Sequence, residues 1–153
     1  MTAVRPRLLV LEDGSEYVEF ARAFLGDAFV VDVARTAAEA VDALARGPVD
    51  ALLVDLRFDR VDRAALVGDV QAIADRWFAG DRERAERYVV DQQGALVLAE
   101  LRKLGCEARA VFVQDFPRKR LENLRSLYGR VDAVPSFDAA RIRALLLAGA
   151  DDA

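Results

Sequence analysis

Short apolar runs alternate with helix-like patterns along most of this chain. Five of the runs have the length of a buried strand and end at a polar or turn residue. They cover residues 8–11, 29–34, 51–54, 110–113 and 131–134. Between them, apolar residues recur every three or four positions, which predicts helices. This alternation predicts an α/β fold built on a doubly wound, five-stranded parallel sheet with right-handed crossovers.

Local signals predict where the first two helices begin and end. Ser15 is a candidate N-cap for the first helix, and Gly26 closes it. Thr36 and Glu39 have the spacing of a capping box at the start of the second helix. In that second helix, the residues expected to face inward are Ala40, Val41 and Leu44.

The stretch from Asp55 to Gly105 is too long for one crossover helix. One helical stripe is formed by Leu66, Val70, Ile73 and Trp77. A second helical pattern runs from about residue 83 to 104 and is interrupted near Gly94. Because both patterns carry an apolar face that must be covered, they predict an ordered helical insertion at about 58–92 after the third strand.

Composition narrows the function classes. The chain has 153 residues, 54% hydrophobic and 31% charged, which is typical of one folded domain over residues 1–153. The net charge of −4 gives no basic excess for nucleic-acid binding. Zero histidines exclude Ser-His-Asp and Cys-His catalysis. One cysteine, no apolar run long enough for a membrane span and no signal-peptide pattern before residue 8 lead us to expect a cytoplasmic protein.

Acidic residues follow two of the predicted strands. Glu12 and Asp13 end the first strand, and Asp55 ends the third. If these strands are neighbours, the three carboxylates converge at the edge of the sheet where ligands bind in such folds. Carboxylates brought together repel one another unless a cation lies among them, and hard oxygen ligands suit Mg²⁺. The alternative is that these acids cap helices or face water.

Several segments, in order, resemble the receiver domain of two-component response regulators. They are LLVLED at 8–13, TAAEAVDAL at 36–44, VDALLVD at 49–55, GALVLAELR at 94–102 and VDAVPSFD at 131–138. The resemblance spans nearly the whole chain apart from the insertion. It implies a flavodoxin-like, receiver-type fold and a signalling module rather than an enzyme.

The resemblance also implies roles for the acidic residues. Asp55 would be the phosphoacceptor and a ligand of Mg²⁺. Asp13 would be the main Mg²⁺ carboxylate, Glu12 its water-mediated companion, and the backbone carbonyl of Arg57 would complete the metal shell. The metal matters because an anionic carboxylate must attack an anionic phosphoryl donor.

The chain departs from the receiver pattern at its switch positions. Gln114 stands where the family has a threonine or serine after the fourth strand, and Asp115 where it has a small residue. Val134 stands where the family has a lysine before the proline of the fifth strand. Arg57 or Arg118 could replace the missing cation, although the sequence does not show that either one reaches the site.

Two further regions are candidates for a partner surface. Trp77 and Phe78 either pack on the domain's own helices or form an exposed patch for dimerisation or a partner. A basic run at Arg118, Lys119 and Arg120 is either a solvated face or a contact for an acidic protein. The resemblance implies a histidine kinase or a downstream effector as the protein partner. Neither nucleic acid nor a membrane is expected.

Three functions compete on this evidence. The first is a signalling receiver that is phosphorylated on Asp55. The second is a pseudo-receiver, which interacts or dimerises without phosphorylation. The third, a Mg²⁺-dependent α/β hydrolase, is disfavoured because Arg57 breaks an Asp-x-Asp pair and no glycine-rich phosphate loop follows a strand. Since the chain ends at Ala153, we expect output through binding rather than through an attached domain.

Overall fold

A computed structural model of the chain describes residues 4–151. Its core is a five-stranded parallel sheet in the order β2-β1-β3-β4-β5. The strands are β1 (Arg7–Leu11), β2 (Val30–Ala34), β3 (Ala51–Val54), β4 (Arg109–Val113) and β5 (Val131–Val134). The predicted fold class and strand positions are confirmed, within one residue at each end.

Helices cover both faces of the sheet. They are α1 (Glu16–Phe24), α2 (Ala37–Ala45), α3 (Val70–Trp77), α4 (Arg82–Asp91), α5 (Gln93–Lys103), α6 (Arg118–Tyr128) and α7 (Ala139–Asp151). Successive residues of a strand point to opposite faces. Leu9 and Leu11 therefore enter a core shared with α2, α5 and α6, whereas Leu8 and Val10 enter one shared with α1 and α7.

The two predicted helix starts differ in their outcome. The Thr36 hydroxyl accepts the backbone N–H of Glu39 at 3.1 Å, so that N-cap is confirmed. Ser15 precedes α1 but makes no side-chain cap. Instead, Glu12 Oε1 accepts the N–H of Val18 in the first turn at 2.8 Å, because the end of β1 lies directly beneath that turn.

The inward face of α2 was only partly predicted. Val41 is 37% exposed, so its prediction as an inward residue is wrong. The buried face is made by Ala37, Ala40 and Ala43. These small side chains let α2 lie close to the sheet and to α5, and this turns the larger valine outward.

Helical structure occupies the chain between β3 and α5. A single 3₁₀ turn (Arg63–Ala65) precedes α3, and α4 runs into α5 with a break at Gln92. The stripe predicted from residue 66 is shorter in the structure, because Leu66 follows the 3₁₀ turn in an extended conformation. Gln93 is buried and bonds the backbone N–H and C=O of Val67 at 2.9 Å, which ties this segment to the start of α5.

One prediction extends beyond what the structure describes. The domain bounds of 1 and 153 lie outside the described residues. Within residues 4–151, no helix is both long and apolar enough to cross a lipid bilayer.

Candidate functional site

The predicted acids lie on neighbouring strands at the carboxyl edge of the sheet. Leu11 of β1 pairs with Val54 of β3, and the N–H of Asp55 donates to the carbonyl of Leu11 at 2.8 Å. The strand order reverses between β1 and β3, which is where ligands bind in open α/β sheets. Glu12, Asp13 and Asp55 therefore lie at this switch point.

Asp55 faces a shallow cavity of about 320 Å³. The residues lining the cavity are Asp13, Glu16, Tyr17, Asp55, Arg57, Asp59, Arg60 and Phe137. The pKa of Asp55 is raised from 3.8 to about 7, mainly by burial and also by the carboxylates of Asp13 and Glu12, while a backbone hydrogen bond from Arg57 opposes the shift. The charged side chains that shift the pKa of Asp55 are thus all acidic.

Glu12 is completely buried at the base of this site. Oε1 accepts the N–H of Val18, while Oε2 is buried without a hydrogen-bond partner. Burial raises the pKa of Glu12, and the backbone N–H groups of α1 partly offset this. A buried carboxylate oxygen without a donor is costly, so a cation or water at this oxygen would stabilise the site.

Asp13 and Arg60 connect β1 to the chain after β3. Asp13 is 8% exposed, and its Oδ2 accepts the backbone N–H of Arg60 at 2.5 Å. The guanidinium of Arg60 donates to Glu16 Oε1 at 3.0 Å. This hydrogen bond helps to lower the pKa of Glu16, after a larger contribution from the backbone N–H of Glu16 itself.

Arg57 lies at the cavity with its side chain turned toward α4. The guanidinium is 3.3 Å from Asp91 and 3.6 Å from Asp59. Its side chain is 64% exposed, so these ion pairs are screened by water. The backbone of Arg57 follows Asp55 closely enough to donate a hydrogen bond to that carboxyl.

The altered switch positions do not line this cavity. Gln114 and Asp115 follow β4 and are exposed, and neither lines the cavity. Val134 is 1% exposed and packs in the core under α1 and α7. Arg118 is 93% exposed and pairs with Glu122, so it does not reach Asp55 either.

Sequence reasoning missed several residues of the site. Tyr17 donates from its hydroxyl to the carbonyl of Val113 at 3.1 Å, and its ring meets Phe137 edge-on at 5.0 Å. Arg35 donates to the carbonyls of Asp13 and Gly14 at 3.2 and 3.1 Å and so fixes the loop after β1. Tyr17 belonged to an apolar helix stripe and Arg35 to a strand exit, so no pattern distinguished them.

The donor chemistry of the site fits a divalent cation. Asp13 and Asp55 share one cavity, and Glu12, whose buried Oε2 has no donor, directly precedes Asp13 in the chain. Oxygen donors of this kind suit Mg²⁺. Within residues 4–151, however, no three acidic, cysteine or histidine side chains lie close enough together to hold a metal as they stand. Mg²⁺ ligation by these residues therefore remains a prediction.

The aromatic residues of the helical segment border a second, larger groove. Trp77 is 54% exposed and its ring lies 5.4 Å from that of Tyr88, which also contacts Phe78 at 5.9 Å. Trp77 and Tyr88 line a groove of about 470 Å³ together with Arg120 and Leu127 of α6. Arg120 donates to Gln92 at 2.7 Å across this groove.

Comparison with known proteins identifies the fold. No protein-family model matches the sequence, and no curated protein matches it. Solved structures do match. The signal receiver domain of a putative LuxO repressor protein from Vibrio parahaemolyticus has 13% identity over 97% of this chain and 92% of that chain, with a TM-score of 0.67. The receiver domain of NtrX from Brucella abortus has 14% identity over 95% and 99%, with a TM-score of 0.64.

A third match carries a modified site. It is a response regulator protein from Burkholderia pseudomallei, solved with a phosphorylated aspartic acid, a calcium ion and citrate. It has 13% identity over 96% of this chain and 69% of that chain, with a TM-score of 0.60. At such identities the likeness establishes the fold alone. The chain has the fold of response-regulator receiver domains, as the sequence predicted.

Proposed function

We propose that this protein is a cytoplasmic signal-transduction receiver module, phosphorylated on Asp55, that acts through protein contacts rather than as an enzyme. The observation that carries the proposal is the position of Asp55 at the switch point, where it shares a cavity with Asp13. A carboxylate placed there is open to a phosphoryl donor, whereas Glu12 is sealed from solvent. The likeness to receiver domains supports the same function.

The proposed modification is a simple displacement. A carboxylate oxygen of Asp55 attacks the phosphorus of an acyl phosphate such as acetyl phosphate. A P–O bond forms to Asp55 while the P–O bond to the acyl oxygen breaks, and the electron pair leaves with acetate. No proton is transferred, but Asp55 must be ionised to attack. Its pKa of about 7 therefore makes the reaction sensitive to any cation nearby.

Asp13, Asp55 and the backbone carbonyl of Arg57 would hold Mg²⁺, with Glu12 behind them. A bound Mg²⁺ would neutralise the charge that develops on the phosphoryl oxygens. The chain itself positions the nucleophile, because the N–H of Asp55 is bonded to β1. It also holds Asp13 beside the cavity through the N–H of Arg60.

The test is incubation with Mg²⁺ and acetyl phosphate, followed by intact-mass measurement. We expect an added mass of one phosphoryl group in the wild type and none in Asp55→Asn. Asp115→Asn is the matched control, since Asp115 is exposed and outside the cavity. An adduct that persists in Asp55→Asn would reject Asp55 as the acceptor.

The alternative is a pseudo-receiver that never uses phosphorylation. It is favoured by the positions after β4 and β5, where Gln114 is exposed and Val134 is buried in the core. Neither side chain lines the cavity at Asp55, and Val134 has no polar group to pair with a phosphoryl oxygen. Absence of any adduct and of any Mg²⁺ binding in the wild type would establish this alternative.

We propose that the helical segment at 58–92 is an addition to the receiver fold that supplies a partner surface. The groove between this segment and α6 is partly apolar, with Trp77 and Leu127 both more than half exposed. Two arginines lie at this groove. Arg120 lines it, and the guanidinium of Arg76 lies 5.4 Å from the centre of the Trp77 ring. Apolar residues framed by arginines fit an amphipathic helix with acidic edges on a protein partner, either a histidine kinase or an effector.

The single tryptophan makes this surface testable. We expect an amphipathic peptide with acidic flanks to shift the emission of Trp77, and a peptide with the same apolar face but basic flanks to leave it unchanged. Arg120→Glu should weaken the first peptide, whereas Leu104→Ala, an exposed change outside the groove, should not. Self-association that Trp77→Ala abolishes would identify a second copy as the occupant instead.

A further inference from the structure

The acidic side chains around the cavity at Asp55 repel one another, and a phosphoryl group would increase this repulsion. Asp13, Glu16, Asp55 and Asp59 all line it, and a phosphoryl group would add close to two further negative charges. The lining offers two cations, Arg57 and Arg60. Val134, which stands at the position of the receiver lysine, is an apolar core residue and contributes no charge.

Arg57 is the weaker candidate of the two. Its guanidinium is directed to Asp91 of α4 at 3.3 Å and to Asp59 at 3.6 Å. It also lines a separate cavity of about 400 Å³ beside α4. The charge of Arg57 is thus shared with two carboxylates outside the Asp13–Asp55 pair.

Three observations place Arg60 at the site. Its backbone N–H binds Oδ2 of Asp13, and its guanidinium binds Glu16 at 3.0 Å. The third observation concerns Gly14, where an added Cβ would lie 2.3 Å from Nη1 of Arg60. The guanidinium therefore lies directly over the loop after β1, in space that only glycine leaves open.

Glu16 holds the Arg60 side chain loosely enough to share it. Glu16 and Arg60 are 58% and 56% exposed, so the ion pair is worth little on its own. A phosphoryl group in the adjoining cavity would offer Arg60 a more highly charged, bidentate acceptor. Arginine is suited to this role because its planar donors match phosphoryl oxygens in pairs.

We propose that Arg60 is the cation that pairs with a phosphoryl group on Asp55, in place of a lysine from β5. This proposal rests on the proposed phosphorylation of Asp55. The positive charge comes from the chain after β3, on the Asp13 side of the cavity, rather than from β4 or β5.

The test measures the affinity of the full chain for beryllofluoride, a phosphoryl mimic, in the presence of Mg²⁺ by ¹⁹F NMR. Loss of one charge-assisted pair should weaken binding at least about tenfold in Arg60→Ala. Arg60→Lys should lose less, since it keeps the charge. Gly14→Ala should also weaken binding, because it keeps the arginine but displaces its guanidinium.

Two controls make the outcomes decisive. Arg63→Ala removes an exposed arginine of the same segment that is bonded to Glu86 and lies outside this cavity, so affinity should stay unchanged. Arg57→Ala tests the rival cation. If Arg57→Ala weakens binding and Arg60→Ala does not, the role belongs to Arg57 and the proposal is wrong.

The result for the wild type distinguishes the Arg60 proposal from the phosphoacceptor proposal on which it rests. Wild-type binding that Asp55→Asn abolishes supports the phosphoacceptor, and equal affinity in Arg60→Ala would then overturn the role of Arg60 alone. If the wild type binds no beryllofluoride, the phosphoacceptor proposal fails and the Arg60 proposal fails with it. Circular dichroism of each variant confirms that the exposed substitutions leave the fold intact.

Discussion

The two halves of the sheet's carboxyl edge differ in chemistry. At the ends of β1 and β3, Glu12 and Asp13 are buried and Asp55 is half-buried beside them. At the ends of β4 and β5, Gln114 and Asp115 are exposed and Val134 belongs to the core. The β1–β3 half holds its negative charge in a place that water does not fully reach, whereas the acid of the β4–β5 half, Asp115, is open to water.

This difference shows where the energetic cost of the site lies. Burial raises the pKa of both Glu12 and Asp55, so the fold holds these carboxylates at the expense of stability. That cost would be recovered when a cation binds. The β4–β5 half holds no such buried carboxylate, so substitutions there should change the stability through packing alone.

The largest effect is expected from introducing a lysine at the end of β5. Val134→Lys would place an ammonium where the side chain is 1% exposed and surrounded by apolar residues. We expect a loss of about 3 kcal/mol or more in the free energy of unfolding, measured by urea denaturation. Gln114→Thr, the matched change at the exposed position after β4, should stay within about 0.5 kcal/mol. A stable Val134→Lys protein would mean that this position opens onto the cavity after all.

A second large effect is expected where α5 meets Asp55. Gly94 donates its N–H to the carbonyl of Leu56 at 2.8 Å, and an added Cβ would lie 2.1 Å from the carbonyl oxygen of Asp55. Because that neighbour is backbone, Gly94→Ala should cost about 2–3 kcal/mol and displace Asp55.

The comparison for Gly94 lies at the opposite edge of the sheet, between α6 and the start of β5. Gly129 ends α6 with a φ of 78° and has no atom within 4 Å of an added Cβ. Gly129→Ala should therefore cost only the backbone strain, about 1–2 kcal/mol. Thermal denaturation of the two variants checks the ranking, and a smaller loss for Gly94→Ala would contradict the close approach.

Much of this architecture could be predicted from the sequence, for a physical reason. Strand runs such as 51–54 are continuous and apolar because both faces of a parallel sheet are covered, so they stand out. Since strand ends share one edge, Asp13 and Asp55 could be placed together without coordinates.

The rest depended on contacts that no local pattern encodes. Arg60 acquires its role through a backbone bond to Asp13, 47 residues away. Glu12 was predicted as a metal companion, yet it also caps α1, because the loop after β1 brings it under Val18. That Val134 packs in the core follows from the α1 and α7 side chains above it, which periodicity alone does not position.

The smallest effect, and the sharpest test of the β1–β3 half, concerns the pH dependence of stability. The folded-state pKa of Asp55 is about 7, above its ordinary value of 3.8. Between these values the folded protein keeps a proton that the unfolded chain has released, so stability falls as pH rises from about 4 to 7. Asp55→Asn removes this loss. Because Asp55 is partly exposed, we expect a gain of about 1–2 kcal/mol at pH 8 in EDTA, shrinking toward zero near pH 4.

Asp115→Asn is the control from the β4–β5 half, because it removes an exposed acid that does not line the cavity, and its free energy of unfolding should stay within about 0.5 kcal/mol of the wild type. Added Mg²⁺ at pH 8 should raise the melting temperature of the wild type more than that of Asp55→Asn, because the ion would compensate the carboxylate that the variant lacks. Equal pH profiles for wild type and Asp55→Asn would show that Asp55 is no less solvated than Asp115. The contrast between the two halves of the edge would then be one of shape rather than of stored charge.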